Sequence, residues 1–254
     1  MAESPVLCLL FSLDLETTGL SVFSDQITQI ALVISILREN GEFTRLSEFE
    51  SLVKPQKAIS QIASDITGIT DEMLANQPNF AKVLPMLVLH LETTCDKAKE
   101  IKGVDELTRR VLVAYNGRSY DVPLLIHELK RINVDFVEVF MERFCTDFFV
   151  DPLLMARVLL KPVKLNAYYK PSFKLTDVYE FVFGKELEGA HGALADAKAC
   201  EEILLLSPLK IVLLEELKTN GQTKFLIQTR QMIEKFIVSP SSYLDQKSKR
   251  IKLG

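Results

Sequence analysis

A chain of 254 residues, 48% hydrophobic and 25% charged, is composed like a globular protein with room for a sizeable core. Its net charge of −4 excludes a protein that coats nucleic acid through bulk positive charge, and leaves open a local grip on one strand end. No apolar run reaches the roughly 18 residues of a membrane span, and Met1-Ala2-Glu3-Ser4-Pro5 leads into a strand pattern instead of a signal peptide. A soluble intracellular protein with no membrane partner is expected, nucleus and cytoplasm being undecided. Cys8, Cys95, Cys145 and Cys200 are scattered without a Cys-x-x-Cys pair, so reduced, mostly buried thiols are expected in place of a zinc site or a disulfide framework.

Val6 to Asp14 is almost continuously apolar, the pattern of a strand buried on both faces. Gln26 to Leu37, the Asn40-Gly41 hairpin signal and Glu42 to Val53 complete a three-stranded meander that Lys54-Pro55 ends. Ile59 to Leu74 reads as two short helices, with starts at Ser64-Asp65 and Thr70-Asp71, and Pro78 opens a longer helix to about Lys99. Asp96 to Glu106 reads as a solvated connection. Arg110 to Tyr115 is a fourth strand closed by Asn116-Gly117, and Asp121 to Ile132 has helical spacing with Pro123 in its first turn, where a missing N–H costs nothing. Phe144 to Thr146 supplies a short fifth strand. Helices follow at Pro152 to Leu159, at Leu175 to Phe183 with its stop at Gly184, and at Ala193 to Leu206. Between the first two lies a loop, Lys161 to Ser172, in which lysines and prolines alternate around Tyr168 and Tyr169. A last helix is read at Thr223 to Val238, beyond Pro208 and the Asn220-Gly221 break, and the polar tail 239–254, with Lys247, Lys249, Arg250 and Lys252, is expected to be disordered. Hairpin strands first, then strands alternating with helices, give an α/β fold with a mixed sheet covered by helices on both faces.

Asp14 and Glu16, two apart on a strand, project from the same face while Leu13 and Leu15 turn into the core. Like charges that close are unfavourable unless a cation sits between them or one is protonated, so the pair is a metal platform or two solvated acids on an edge strand. Asp121 opens a helix, where the macrodipole favours an acid whatever else it does. His191 and Asp196 share a site only if the histidine lies in the loop before the helix and Asp196 near its first turn, a placement that Gly189 and Gly192 permit. Taken together, four carboxylates and one histidine without a thiolate suit hard cations such as Mg²⁺ or Mn²⁺. Two such ions hold a phosphate between an activated water and a leaving oxygen, and an imidazole beside that water takes its proton.

Asp14-x-Glu16-Thr17-Thr18-Gly19-Leu20, Asn116-Gly117-x-x-Tyr120-Asp121 and the His191/Asp196 pair, in that order, resemble the three motifs of the DEDDh, or DnaQ-like, 3′-to-5′ exonucleases. That group contains the proofreading exonuclease subunit of replicative polymerase and the three-prime repair exonucleases. Gly68-Ile69-Thr70-Asp71-Glu72-Met73 resembles the segment those enzymes carry between the first two motifs, and the resemblance covers about residues 6–206. It implies a ribonuclease-H-like fold with a five-stranded mixed sheet. It also implies hydrolysis of the terminal phosphodiester of single-stranded or frayed DNA, with release of a nucleoside 5′-monophosphate; trimming of RNA 3′ ends and a non-catalytic nucleic-acid-binding or polymerase-accessory role are the alternatives. Carried over by residue, Asp14, Glu16, Asp121 and Asp196 hold two Mg²⁺ or Mn²⁺ ions, with His191 as general base and Glu16 acting in catalysis. Thr17 lies near the 3′-hydroxyl, Leu20 wedges against terminal bases, and Ile69 and Tyr120 line the nucleotide pocket; for Leu20, Ile69 and Tyr120, ordinary packing is the competing reading. Tyr115 stands where many relatives carry histidine, and no proline-rich insertion is present. The expected division is an exonuclease domain at 1–206, a helical extension at 207–238 and a basic tail at 239–254. Protein partner and oligomeric state are left open.

Overall fold

The computed structural model describes residues 3–135, 138–139, 146–161, 164–165, 168–219 and 223–230. Strands β1 (Val6–Thr17), β2 (Ile27–Arg38) and β3 (Phe43–Leu52) form the antiparallel meander, turning between β2 and β3 through Gly41 at φ 82°, a backbone angle that glycine adopts without strain. β4 (Arg109–Val113) lies parallel to β1, β5 (Phe148–Val150) parallel to β4, and β6 (Ile227–Gln228) antiparallel to β5. The order is β3-β2-β1-β4-β5-β6.

The sheet is mixed, as expected, but among the described residues it has six strands in place of the expected five. The fifth lies at Phe148–Val150, just past the expected Phe144 to Thr146, and the sixth falls inside the stretch read as the helix Thr223 to Val238. Physical context overrides local pattern here: the open side of β5 offers backbone groups, and Ile227 and Gln228 pair with Phe149 and Phe148. Phe144, Cys145, Asn220, Gly221 and everything from 231 onward, including the expected disordered tail, lie outside the described residues.

Alternation along β1 sets the two layers. Leu9, Phe11, Leu13 and Leu15 join Ile30, Leu32, Ile34 and Ile36 of β2 in a core covered by α3 (Phe80–Ala98) and α4 (Asp121–Arg131). Cys8 and Leu10 face the other way with Val111 and Val113, under α5 (Pro152–Leu159), α6 (Leu175–Phe183), α7 (Ala193–Leu206) and α8 (Leu209–Lys218). Each such side chain fully buried contributes about 1.5–3 kcal/mol. The helix α8 was not read in the sequence, because Pro208 looks like a break; it sits instead as the cap, at a φ of −55° that a helix start accepts. Its Leu209, Leu213 and Leu217 are buried in the second core.

Between β3 and α3 come α1 (Gln61–Thr67) and α2 (Asp71–Leu74). Thr70 caps the second as expected, and Ser60, four residues before the expected Ser64, caps the first by accepting from Ala63 N–H. Cys8, Cys95 and Cys200 are buried. Among the described residues no helix is long and apolar enough to cross a membrane.

Candidate active site

The even-numbered face of β1 carries its acids toward α7. Asp14 lies opposite Ala31 of β2 and Glu16 opposite Gln29. Ala31, Val33, Ala193 and Ala197 pack together between sheet and helix, and because these side chains are small α7 approaches β1 and β2 closely. That approach delivers Asp196, in the first turn of α7, to the strand: one carboxylate oxygen each of Asp14, Glu16 and Asp196 lie within 4.8 Å of one another. The N-terminus of α7 has no cap from its own Gly192. Gln29 substitutes, its Oε1 accepting from Ala193 N–H at 3.1 Å.

Asp121 arrives from the opposite layer, as the first residue of α4 at the end of the loop after β4. It is buried, and it lies outside the 4.8 Å group while close enough for its charge to act on Asp14 and Glu16. His191 sits in the turn before α7, solvent-exposed and at φ 66°. Its main-chain N–H donates to Asp196 Oδ1 at 3.2 Å. The loop placement of His191 and the first-turn placement of Asp196 that a shared site requires are both met.

The electrostatics of this edge follow from burial and crowding. Asp14 is held well above the usual carboxylate range, chiefly by burial and then by the charges of Asp121, Asp196 and Glu16. Burial, followed by Asp196 and Asp121, pushes Glu16 up to about 8. Burial raises Asp121 to about 7 against the pull of nearby main-chain N–H groups, and Asp196 to about 6 against the His191 N–H and the His191 charge. Four acids that repel one another out of water fit a divalent cation: the donors are all oxygen, which hard ions prefer, and positive charge removes the repulsion.

A second group surrounds the turn after β1. The hydroxyls of Thr17 and Tyr120 meet at 2.5 Å, and both lie on the carbonyl of Gly19, at 2.7 and 2.5 Å. Burial raises the Tyr120 hydroxyl to about 12. Asp25 fixes the turn by accepting from Thr18 Oγ1 at 2.9 Å, Ser21 N–H at 2.7 Å and the Lys57 ammonium. Leu20 then stands 86% exposed beyond the turn, whereas Ile69 is buried. Sequence reasoning missed three supporting side chains. Asp151 had a readable signal, an acid directly before Pro152: it caps α5 and also accepts from Asn116 N–H at 2.9 Å, holding the loop that leads to Asp121. Gln29 and Asp25 carry no local signal, because their partners are set by strand pairing and by a turn.

The RNase_T exonuclease family model matches residues 11–204. DNA polymerase III subunit epsilon of Treponema pallidum is 30% identical over 190 residues, covering 75% of this chain and 72% of that protein. The PolC-type DNA polymerase III of Thermotoga petrophila is 29% identical over 194 residues, which are 76% of this chain but 11% of the polymerase. Among solved structures, Escherichia coli exonuclease I in complex with a dT13 oligonucleotide superposes with a TM-score of 0.61 at 19% identity, covering 81% of this chain and 42% of that one. Exonuclease I of Methylocaldum szegediense gives 0.59 at 21%, covering 80% and 42%. The chain thus spans about a tenth of the PolC-type polymerase and less than half of exonuclease I. These likenesses carry the ribonuclease-H-like fold. With the family model spanning both layers of the sheet and all four acids, the chain belongs to the RNase_T exonuclease family, as a DnaQ-like member.

Proposed function

We propose that this protein is a metal-dependent 3′-to-5′ exonuclease that hydrolyses the terminal phosphodiester of single-stranded or frayed DNA and releases a nucleoside 5′-monophosphate. The observation that carries this reading is the meeting of Asp14, Glu16 and Asp196, with Asp121 buried behind them, at one end of β1. Support for a single-stranded substrate comes from exonuclease I, of similar fold, in complex with dT13 and dA16 oligonucleotides. Residues 1–206 form the exonuclease domain in this reading, 207–238 an extension and 239–254 a basic tail.

Asp14, Glu16, Asp121 and Asp196 hold two Mg²⁺ or Mn²⁺ ions. Bound there, the ions supply Lewis-acid activation of water and neutralise charge on the scissile phosphate. The chain's own side chains do the rest. The His191 ring, on its exposed turn beside Asp196, takes the proton of the attacking water as the P–O3′ bond breaks, since imidazole accepts protons near neutral pH. The Asp196 contact with the His191 main chain fixes that turn relative to the carboxylates. Thr17 and Tyr120, joined over the Gly19 carbonyl, shape the floor for the terminal nucleotide, with Ile69 as apolar lining and exposed Leu20 against the terminal base.

Digesting matched single-stranded DNA and RNA oligonucleotides in Mg²⁺, each labelled at the 3′ or the 5′ end, tests polarity and substrate together. A 3′ label leaves DNA first, as a mononucleotide, while a 5′ label marks a ladder of shortening products. Early loss of the 5′ label refutes the direction, and faster digestion of RNA refutes the choice of DNA.

A further inference from the structure

We infer that Arg131, in the last turn of α4, is a positioning residue for the strand end: it sets where the turn that presents Leu20 stands relative to Asp121, and so governs how tightly the terminal nucleotide is held. This rests on the exonuclease reading and extends it to a side chain remote from the carboxylates.

Residues 18–26 join β1 to β2, and each end of α4 grips that turn. At the helix N-terminus, next to Asp121, the Tyr120 hydroxyl donates to the Gly19 carbonyl at 2.5 Å. At the C-terminus the Arg131 guanidinium reaches two further carbonyls of the same turn, Nη1 donating to Asp25 at 2.9 Å and Nη2 to Phe23 at 3.0 Å. Buried Glu128, one helical turn back, pairs with Nη1 and aims the fork. The Phe23 ring meets the His127 ring edge-on at 5.0 Å, a third contact from this part of the helix. Ten residues separate Asp121 from Arg131, so α4 is a strut about 15 Å long between the acid and the far side of the turn.

An arginine in the last turn of a helix is favoured by the macrodipole wherever its head lies, so its place in the sequence implies nothing. Its partners do. Two of its bonds go to the main chain of another segment, and a planar fork satisfies two carbonyls in a way that a single ammonium does not. The turn has bonds of its own: the Ser24 and Asp25 N–H groups donate to the Ser21 carbonyl at 3.2 and 2.8 Å, and the Asp25 carboxylate holds Thr18 and Ser21. These fix its shape, while the Lys57 ammonium on Asp25 ties it to the chain after β3. Its placement against α4 comes from Tyr120 at Gly19 and from Arg131 at Phe23 and Asp25. Exposed Leu20 lies between those attachments, so releasing the Arg131 end shifts Leu20 relative to Asp121. The carboxylates themselves are held by strand pairing and helix packing, which places the effect on strand affinity and not on the chemical step.

Arg131→Lys keeps a cation beside Glu128 while removing the fork. Mononucleotide release from (dT)15 in Mg²⁺, measured across substrate concentrations, is expected to show KM raised about three- to tenfold, the loss of one or two hydrogen bonds, with kcat within about twofold of native. In a Leu20→Ala background the same substitution changes KM by less than about twofold, because Leu20 is the side chain through which Arg131 acts. Hydrogen exchange reads the hold on the turn without any activity: the Ser24 and Asp25 amides exchange faster in Arg131→Lys, and α7 keeps its native rates. An unchanged KM overturns the inference, as does a full KM effect that persists with Leu20→Ala, a fall in kcat at unchanged KM, or exchange that quickens across α4 and α7 alike. A native chain that releases no mononucleotide refutes the exonuclease reading and this inference with it, whereas an active native chain with KM unmoved in Arg131→Lys refutes the role of Arg131 alone.

Discussion

Glu16 is costly in the metal-free protein. Its carboxyl is pushed up to about 8 by burial and by Asp196 and Asp121, so at pH 8 the folded protein holds a charge that the unfolded chain accommodates more easily. Glu16→Gln removes that charge while nearly conserving shape. Metal-free melting temperature at about pH 8 should rise by at least about 2–4 °C, the shift that 1 kcal/mol produces in a domain of this size, and change little at about pH 5. A lower melting temperature at pH 8 contradicts the crowding described above. Gly19 is decided by contact instead. A Cβ at this position lies 2.8 Å from Asp25 Oδ2 and 3.0 Å from its Cγ, and Thr18, Ser21 and Lys57 hold that carboxylate in place. Gly19→Ala is expected to cost about 1–3 kcal/mol in chemical denaturation by forcing the turn that presents Leu20 to shift; a neutral effect means that Asp25 yields freely.

The helix α7 is the element on which the candidate site turns, because Asp196 is only as well placed as the helix. Small residues let it approach the sheet, Gln29 caps it, and Glu201 locks it. Glu201 is fully buried, where it accepts from the Ser35 hydroxyl and from Arg45 Nε at 2.6 Å, while Arg45 Nη2 reaches Glu202 at 2.9 Å. Arg45 is part-buried, and removing it leaves the buried Glu201 carboxylate with Ser35 alone, so Arg45→Ala should lower stability by about 1–3 kcal/mol, and a loss under about 0.5 kcal/mol in urea denaturation means that Ser35 suffices. Elements with strong local punctuation were legible: α5 from Pro152, α6 from its stop at Gly184, and α7 from its apolar run after Gly192. The motif acids were legible too, since strand alternation puts Asp14 and Glu16 on one face. What was not legible depends on distant chain. β6 is two residues paired to β5, too short to show any period, and the role of Gln29 exists only because β2 lies beside β1 under α7.

For the molecule as a whole the raised acids set the pH dependence. Unfolded carboxyls titrate near 4, whereas Asp196, Asp121 and Glu16 are raised to about 6, 7 and 8 in the folded protein. Here the folded state binds the extra protons, so their stabilising contribution is complete below about pH 4 and is lost as pH rises toward 8. Asp25 and Asp177, held below the usual range, act in the opposite sense, but only under acid conditions. Metal-free melting temperature should therefore fall between about pH 5 and 8, and Mg²⁺ should raise it more at pH 8; a rise across that window without metal contradicts the assignment. The most direct measurement is mononucleotide release from a 3′-labelled single strand in Mg²⁺ by the native chain and by Asp196→Asn. The native chain should release the label, and the variant, folded and with an unchanged or higher melting temperature, should be slower by at least about a thousandfold, as loss of several kcal/mol of charge stabilisation implies. A folded variant that releases mononucleotides as fast as the native chain contradicts the claim that these acids form the catalytic centre.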